Sequence, residues 1–223
     1  CICAIISSME HSVREKPEEI KNPIFSAYMG LLSRHIEIIG IAAEEQVKAA
    51  ELEEAAMTDP LTGIHNRRAL DDTYNNLQQG QAHRREQDRL ISDKQDTHAL
   101  ILLDVDNFKL VNDTFGHVKG DEVLIGVAKH ITERTRSRDI VCRLGGDEFA
   151  VVLPRSDQAN AAKVAEEIRA NIYEECGITL SGGISELDLS ENLDENIRRA
   201  DIALYTAKKQ GRDRLVLEPR HAD

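Results

Sequence analysis

Four acidic side chains, at two points of the chain, have the types and spacing for cation-assisted phosphate chemistry. Asp104 and Asp106 close an apolar run that begins at Ala99, and Asp147 and Glu148 follow Gly145-Gly146 between two other apolar runs. If the ends of these runs lie side by side, the carboxylates repel unless a cation or a proton relieves them. Hard oxygen ligands suit Mg²⁺ or Mn²⁺. Such a cation beside phosphates is the recurring arrangement for phosphoryl and nucleotidyl transfer. Lys109, Lys208 and Arg212 could hold the phosphates. Lys208 and Arg212 lie four apart and share a face if a helix persists that far. The usual Gly-rich phosphate loop is absent, so backbone N–H groups of the turn at Asn107-Phe108 would have to supply the cradle. Taken singly, each feature reads better as a solvated turn or a wet helix face. Their joint occurrence gives them weight.

The elements that must position these residues follow from pattern. Residues 22–57 are rich in Ala, Glu, Ile and Leu and contain no proline beyond Pro23, which is helix composition. Leu32, Ile36, Ile39, Ala43, Ala50 and Met57 fall near a heptad seam that Gln46 and Glu53 interrupt. That spacing suits a self-associating helix or one packed on its own domain. Composition changes at Thr58-Asp59-Pro60, where a new start can be capped. Helices are expected over residues 67–79, 120–135, 158–174 and 193–209. Strands are expected over 99–105, 140–144, 149–153, 178–184 and 214–217. The two around Gly145-Gly146 form a hairpin. The polar stretch 81–97 is either a helix extension or a loop. This mixture is an α/β or α+β sandwich, a sheet covered by helices.

Bulk properties narrow the partners. The formal net charge of -12 argues against a nucleic-acid polymer, which requires clustered basic residues, but leaves room for a nucleotide. Cys1, Cys3, Cys142 and Cys176 show no zinc spacing, and reduced thiols in a cytoplasmic protein are the expectation. No segment is long and apolar enough to span a membrane, and the first ten residues lack the form of a secretion signal. The chain begins at Cys1 rather than Met, so a longer parent with an upstream sensor or membrane segment is consistent with it.

The strings themselves are specific. Gly145-Gly146-Asp147-Glu148-Phe149 spells the motif that names the GGDEF family of diguanylate cyclases. Asp104-Val105-Asp106-Asn107-Phe108-Lys109 with Asn112-Asp113 resembles that family's first metal-binding block, and Phe115-Gly116-His117 with Gly120-Asp121 its next. Asp59-Pro60-Leu61-Thr62-Gly63 with Asn66-Arg67-Arg68 resembles its opening block. Ala200-Asp201, Ala203-Leu204-Tyr205, Ala207-Lys208 and Gly211-Arg212 resemble its closing block. The blocks follow in family order from Thr58 to Leu217.

The resemblance implies a ferredoxin-like palm domain of the nucleotide cyclase type over residues 58–223. Residues 1–57 would then be an N-terminal helical stalk, a dimerisation segment or the docking point of a regulatory protein. It implies condensation of two GTP into cyclic di-GMP across a homodimer or higher homo-oligomer, with two Mg²⁺ (or Mn²⁺) per site. By position, Asp104, the Val105 carbonyl, Asp147 and Glu148 would hold metal, and Glu148 would alternatively activate the attacking hydroxyl. Asn107, Phe108 and Lys109 would cradle phosphate, Lys208 and Arg212 would grip the terminal phosphates, and Asn112 with Asp121 would read guanine. Arg136 and Asp139 match an Arg-x-x-Asp inhibitory site for cyclic di-GMP; the bland alternative is a charged turn. Departures are few. Asp213 stands where many members have Asn and is expected to matter little. Ile64-His65 varies from the commonest form, stretch 81–97 is long, and Arg169 is a loose candidate to complete the inhibitory site. A sensor without catalysis, a docking scaffold and a cyclase making cyclic AMP or cyclic GMP are the rival readings.

Overall fold

The computed structural model describes residues 23–87 and 97–219. The chain divides into two compact units, Cys1–Glu54 and Ala55–Asp223. Helix α1 (Pro23–Met57), whose last three residues belong to the second unit, leaves Leu31, Ile38, Ile39, Ile41, Val47 and Leu52 exposed, while Leu32 and Ile36 are half-buried.

The second unit is built on one strand. β2 (His98–Val105) is buried along its whole length, which is why it reads as a continuous apolar run rather than an alternating one. Successive side chains of a strand point to opposite faces. Ala99, Ile101, Leu103 and Val105 therefore enter one core, with Phe149, Val127, Ile131, Ile168 and Ile172. Leu100 and Leu102 enter the other, with Leu70, Tyr74, Cys142, Ala200 and Leu204.

The flanking elements follow. β1 (His65–Asn66) and α2 (Arg67–Gln87) precede β2. After it come α3 (Phe108–Phe115), α4 (His117–Glu133), β3 (Ile140–Gly145), β4 (Glu148–Leu153), α5 (Gln158–Cys176), β5 (Leu180–Leu187), α6 (Leu193–Lys209) and β6 (Leu215–Leu217). The sheet order is β1-β3-β4-β2-β5-β6. β2 runs antiparallel to both β4 and β5, and β3 antiparallel to β4. The four central strands with their helices make the ferredoxin-like β-α-β-β-α-β arrangement. Helices α4 and α5 cover one face through the first core, and α2 and α6 cover the other through the second.

Most expected elements form within a few residues of their expected ends. α2 runs on to Gln87, so the polar stretch begins as a helix extension; residues 88–96 lie outside the described residues. The turn expected at Asn107-Phe108 opens the short helix α3, which pattern alone missed. Cys142 is buried and Cys176 half-buried, both as free thiols, and burial pushes the Cys142 thiol up to about 12. Cys1 and Cys3 lie outside the described residues.

Two glycines are required by close approach. A side chain at Gly183 in β5 would collide with the backbone of Ala200 and Leu204, so α6 lies directly on the strand. A side chain at Gly120 would collide with the Asn112 carboxamide, so glycine there makes room for Asn112.

Candidate active site

The site forms at the ends of β2 and β4, on the face covered by α2 and α6. Asp104 is the cross-strand partner of Glu148, which places two like charges side by side on one face, an unfavourable pair on its own. Asp104 is 7% exposed. Burial raises its pKa to about 6, the neighbouring Asp147 and Glu148 add to the rise, and Lys208 opposes it. The Lys208 ammonium from α6 meets the Asp104 carboxylate at 2.7 Å. Gly183 sets that reach, because it lets α6 settle on the sheet.

Asp147 and Glu148 follow the turn of the β3–β4 hairpin, which is left-handed at Gly146 (φ 54) and irregular between Arg143 and Gly145. Arg143 fixes this turn, donating to the Gly146 carbonyl through Nε at 3.0 Å and NH2 at 2.7 Å. Its NH1 also meets the Asp59 carboxylate at 3.0 Å. Despite the upward push of burial, hydrogen bonds from Thr62 and Arg143 hold the Asp59 carboxyl below its ordinary value. The opening block thus braces the hairpin that carries Asp147. Across the sheet, the Val105 N–H donates to the Asp147 carbonyl at 3.2 Å.

Past Val105 the chain turns through Asn107 in left-handed conformation (φ 56), and no side chain caps α3. The amides of its first turn, at Phe108 and Lys109, point out of the helix end, where anions are favoured. Lys109 is exposed on that turn. Further along, the Asn112 carboxamide of α3 lies against Gly120 of α4, and the exposed Asp121 follows that glycine in the chain.

Three expectations are corrected. Asp106 does not converge with Asp104: it is buried and accepts from Thr179 Oγ1 and Ser181 Oγ at 2.7 Å each and from the Asp213 N–H at 3.0 Å. Lys208 and Arg212 do not share a helix face, because α6 ends at Lys209 and Arg212 sits beyond it with φ 63. Asp213 is not indifferent, because its carboxylate pairs with Arg169 NH1 at 2.5 Å. Arg169, the loose candidate for the inhibitory site, is spent on this pair and on Glu166 at 2.6 Å.

Arg136 and Asp139 lie in the turn between α4 and β3, eight residues before Asp147 at the nearer end. The Arg136 N–H donates to Asp139 Oδ2 at 2.8 Å, and the Asp139 N–H to the Arg136 carbonyl at 2.9 Å. The turn leaves the Arg136 side chain exposed.

With this geometry in place the comparisons are decisive. A family profile described as "Diguanylate cyclase, GGDEF domain" matches residues 56–214. The chain belongs to the GGDEF family. Diguanylate cyclase DgcP of Pseudomonas aeruginosa is 33% identical over 219 residues, covering 95% of this chain and 31% of that protein. Diguanylate cyclase DgcM of Escherichia coli is 36% identical over 184 residues, 80% of this chain and 42% of that protein. The chain therefore spans less than half the length of these relatives. Among solved structures, the coiled coil and GGDEF domain of DgcB from Caulobacter crescentus with c-di-GMP superposes with TM-score 0.73 at 31% identity. It covers 84% of this chain and 98% of that one. Diguanylate cyclase SiaD from Pseudomonas aeruginosa, in complex with its activator SiaC, gives TM-score 0.65 at 31% identity, covering 97% and 82%. The ferredoxin-like sheet with flanking helices and the N-terminal helix agree with these GGDEF structures.

The donor set suits a hard divalent cation. Asp104 and Glu148, paired across β2 and β4, offer oxygen donors of the kind such a cation takes, while among the described residues no three acidic, histidine or cysteine side chains close on one point. The rise of the Asp104 pKa comes first from its burial, with the two neighbouring carboxylates adding to it. No helix among the described residues is long and apolar enough to cross a membrane.

Proposed function

We propose that this GGDEF domain is a diguanylate cyclase that condenses two GTP into cyclic di-GMP and two pyrophosphates. The observation that carries the reading is the juxtaposition of Asp104 with Glu148 across the strands and with Lys208 at 2.7 Å. That is a cation-demanding carboxylate pair beside a phosphate-seeking ammonium.

In each step the 3′-oxygen of one GTP bonds to the α-phosphorus of the other. The bond to the β-phosphate oxygen breaks, and the hydroxyl proton passes to a base. Asp104, Asp147, Glu148 and the Val105 carbonyl are assigned to Mg²⁺ or Mn²⁺, which when bound supplies charge stabilisation for the attacking oxygen and the triphosphate. Glu148, exposed at the hairpin, is assigned, as the alternative to holding metal, to receive the hydroxyl proton. The Asn107-Phe108-Lys109 turn cradles phosphate with its amides. Lys208 and Arg212 hold the terminal phosphates. Asn112 and Asp121 read the guanine edge, where a carboxylate accepts from N1–H and N2–H₂ that adenine lacks.

The product has two equivalent halves, so two such sites must face each other about a two-fold axis, and their approach becomes the point of control. The exposed apolar side chains of α1 suit this role, as a dimerising stalk or as the docking point of a regulatory protein. The domain boundary is placed at residues 57 and 58. A cytoplasmic location accords with a GTP substrate. Arg136 and Asp139 are assigned to product binding: Arg136 to phosphate or a guanine face, Asp139 to a guanine edge.

The test is incubation with GTP and Mg²⁺ followed by nucleotide chromatography, beside Asp147→Ala. Cyclic di-GMP from the parent chain alone supports the reading. No product across a range of protein concentrations, with cyclic di-GMP still bound, replaces it with a sensor. Removing residues 1–57 should lower activity most at low protein concentration; unchanged activity and unchanged mass in solution would remove the stalk.

A further inference from the structure

The turn Gly211–Arg214 carries Arg212, and the backbone alone decides where that side chain goes. Among the described residues the Arg212 guanidinium makes no ion pair, and it is exposed. The turn itself is conformationally costly. Arg212 (φ 63) and Asp213 (φ 47) are consecutive non-glycine residues in the left-handed region. Such a conformation persists where the surroundings over-determine it.

The surroundings do so from two sides. On the sheet side, Asp106 is 5% exposed. Two of its three donors, Thr179 Oγ1 and Ser181 Oγ, belong to the start of β5; the third is the Asp213 N–H. Its own N–H donates to the Thr179 carbonyl at 2.9 Å. The carboxylate therefore transfers the position of the sheet to the turn. On the α5 side, the Arg169 guanidinium grips the Asp213 carboxylate at 2.5 Å and the Asp213 carbonyl at 3.4 Å. Glu166 braces Arg169 in turn at 2.6 and 2.9 Å. Both Asp106 oxygens are engaged by neutral donors within the fold, unlike those of Asp104.

We propose that Asp106 and Arg169 are positioning residues that fix the Gly211–Arg214 turn and so aim the Arg212 guanidinium at the terminal phosphates of GTP. This rests on the assignment of Arg212 to those phosphates. Asp106 touches no substrate atom; it acts through the Asp213 backbone.

The measurement is calorimetric titration of the whole chain, with Mg²⁺, by two probes. One is GTP with a methylene bridge between the α- and β-phosphorus atoms, which cannot release pyrophosphate; the other is GMP, which lacks the phosphates Arg212 would hold. Asp106→Ala is expected to weaken the triphosphate about tenfold and GMP by less than about twofold, the loss of one charge-assisted grip. Asp106→Asn should restore most of the affinity, because the amide oxygen can take the Asp213 N–H while Ser181 turns to accept. Equal losses for both probes, or an Asn variant as impaired as Ala, would overturn the proposal, the latter pointing to an ionic role. If Asp106→Ala shows no cooperative melting, Arg169→Met on the surface decides. It should weaken the triphosphate about threefold and leave GMP alone, and no loss overturns the proposal. Arg212→Ala separates the two layers of the argument. If it does not weaken the triphosphate, the phosphate assignment fails; if it does while the Asp106 and Arg169 variants bind normally, only the positioning role fails.

Discussion

The strand-end cluster and the Arg136–Asp139 turn are both charged and both assigned to guanine nucleotides, yet they are built in opposite ways. The cluster draws on β2, α3, β4 and α6, and its members are held across long stretches of sequence: Arg143 to Asp59, Asp106 to Asp213, Lys208 to Asp104. The turn is four residues closed on themselves by two hydrogen bonds. A site that must hold a reacting geometry is tied into the fold, whereas a site that only captures a ligand can ride on one local turn. Substitutions in the first should therefore spread into stability, selectivity and rate together, and substitutions in the second should stay confined to inhibition.

The largest effect tests the first half of that contrast. Asp104→Asn should lower kcat/KM for GTP by about a thousandfold, measured as cyclic di-GMP formed at saturating Mg²⁺. Retention of a tenth of the activity would show that the carboxylate pair is dispensable. The pH profile comes next. With Asp104 assigned to the cation, protons compete with Mg²⁺ for a carboxyl that without metal is raised to about 6. The Mg²⁺ concentration for half-maximal rate should therefore rise about tenfold per pH unit below that value, read from initial rates between pH 8 and pH 5. Stability runs the other way in the metal-free protein. A folded pKa raised above the unfolded one contributes stability present below about pH 4 and lost as pH rises through about 6. Melting temperature against pH, without and with Mg²⁺, should show the cation reversing that trend.

Gly120→Ala should act at a smaller scale. The added carbon displaces the Asn112 carboxamide, and affinity for GTP should drop about tenfold by loss of a polar contact to the base. ITP, which lacks the 2-amino group, should lose less, and equal losses would argue against Asn112 as a guanine reader. Arg136→Ala should have the narrowest effect. Product inhibition disappears, while uninhibited turnover is unchanged and stability moves by less than about 0.5 kcal/mol. A loss of turnover in this variant would collapse the distinction between the two regions.

The contrast also explains what the sequence made legible. β2 stood out because burial on both faces leaves an unbroken apolar run. The acidic and basic positions were found because they sit in recognisable strings. The destination of Asp106 was not, because two carboxylates two residues apart look alike until the strand ends at Val105 and the second turns to the Thr179 and Ser181 hydroxyls. The same blindness applied to Arg212, where helical spacing suggested a shared face and the helix stopped three residues earlier. Arg169 and Asp213 lie 44 residues apart, and no local pattern joins a half-buried arginine on one helix to a turn that follows another. The room that Gly120 makes for Asn112 is likewise a property of packing between helices.

The absence of a side chain at Gly183 has a mechanical meaning. With α6 seated on β5, Lys208 is mounted on the sheet that bears Asp104. Arg212 lies past the helix end, on a turn that Asp106 ties to the same sheet by another route. The two side chains thus hang from one frame by separate suspensions. Substitutions within residues 211–214 would retune the reach of Arg212 while the Lys208–Asp104 contact stays put.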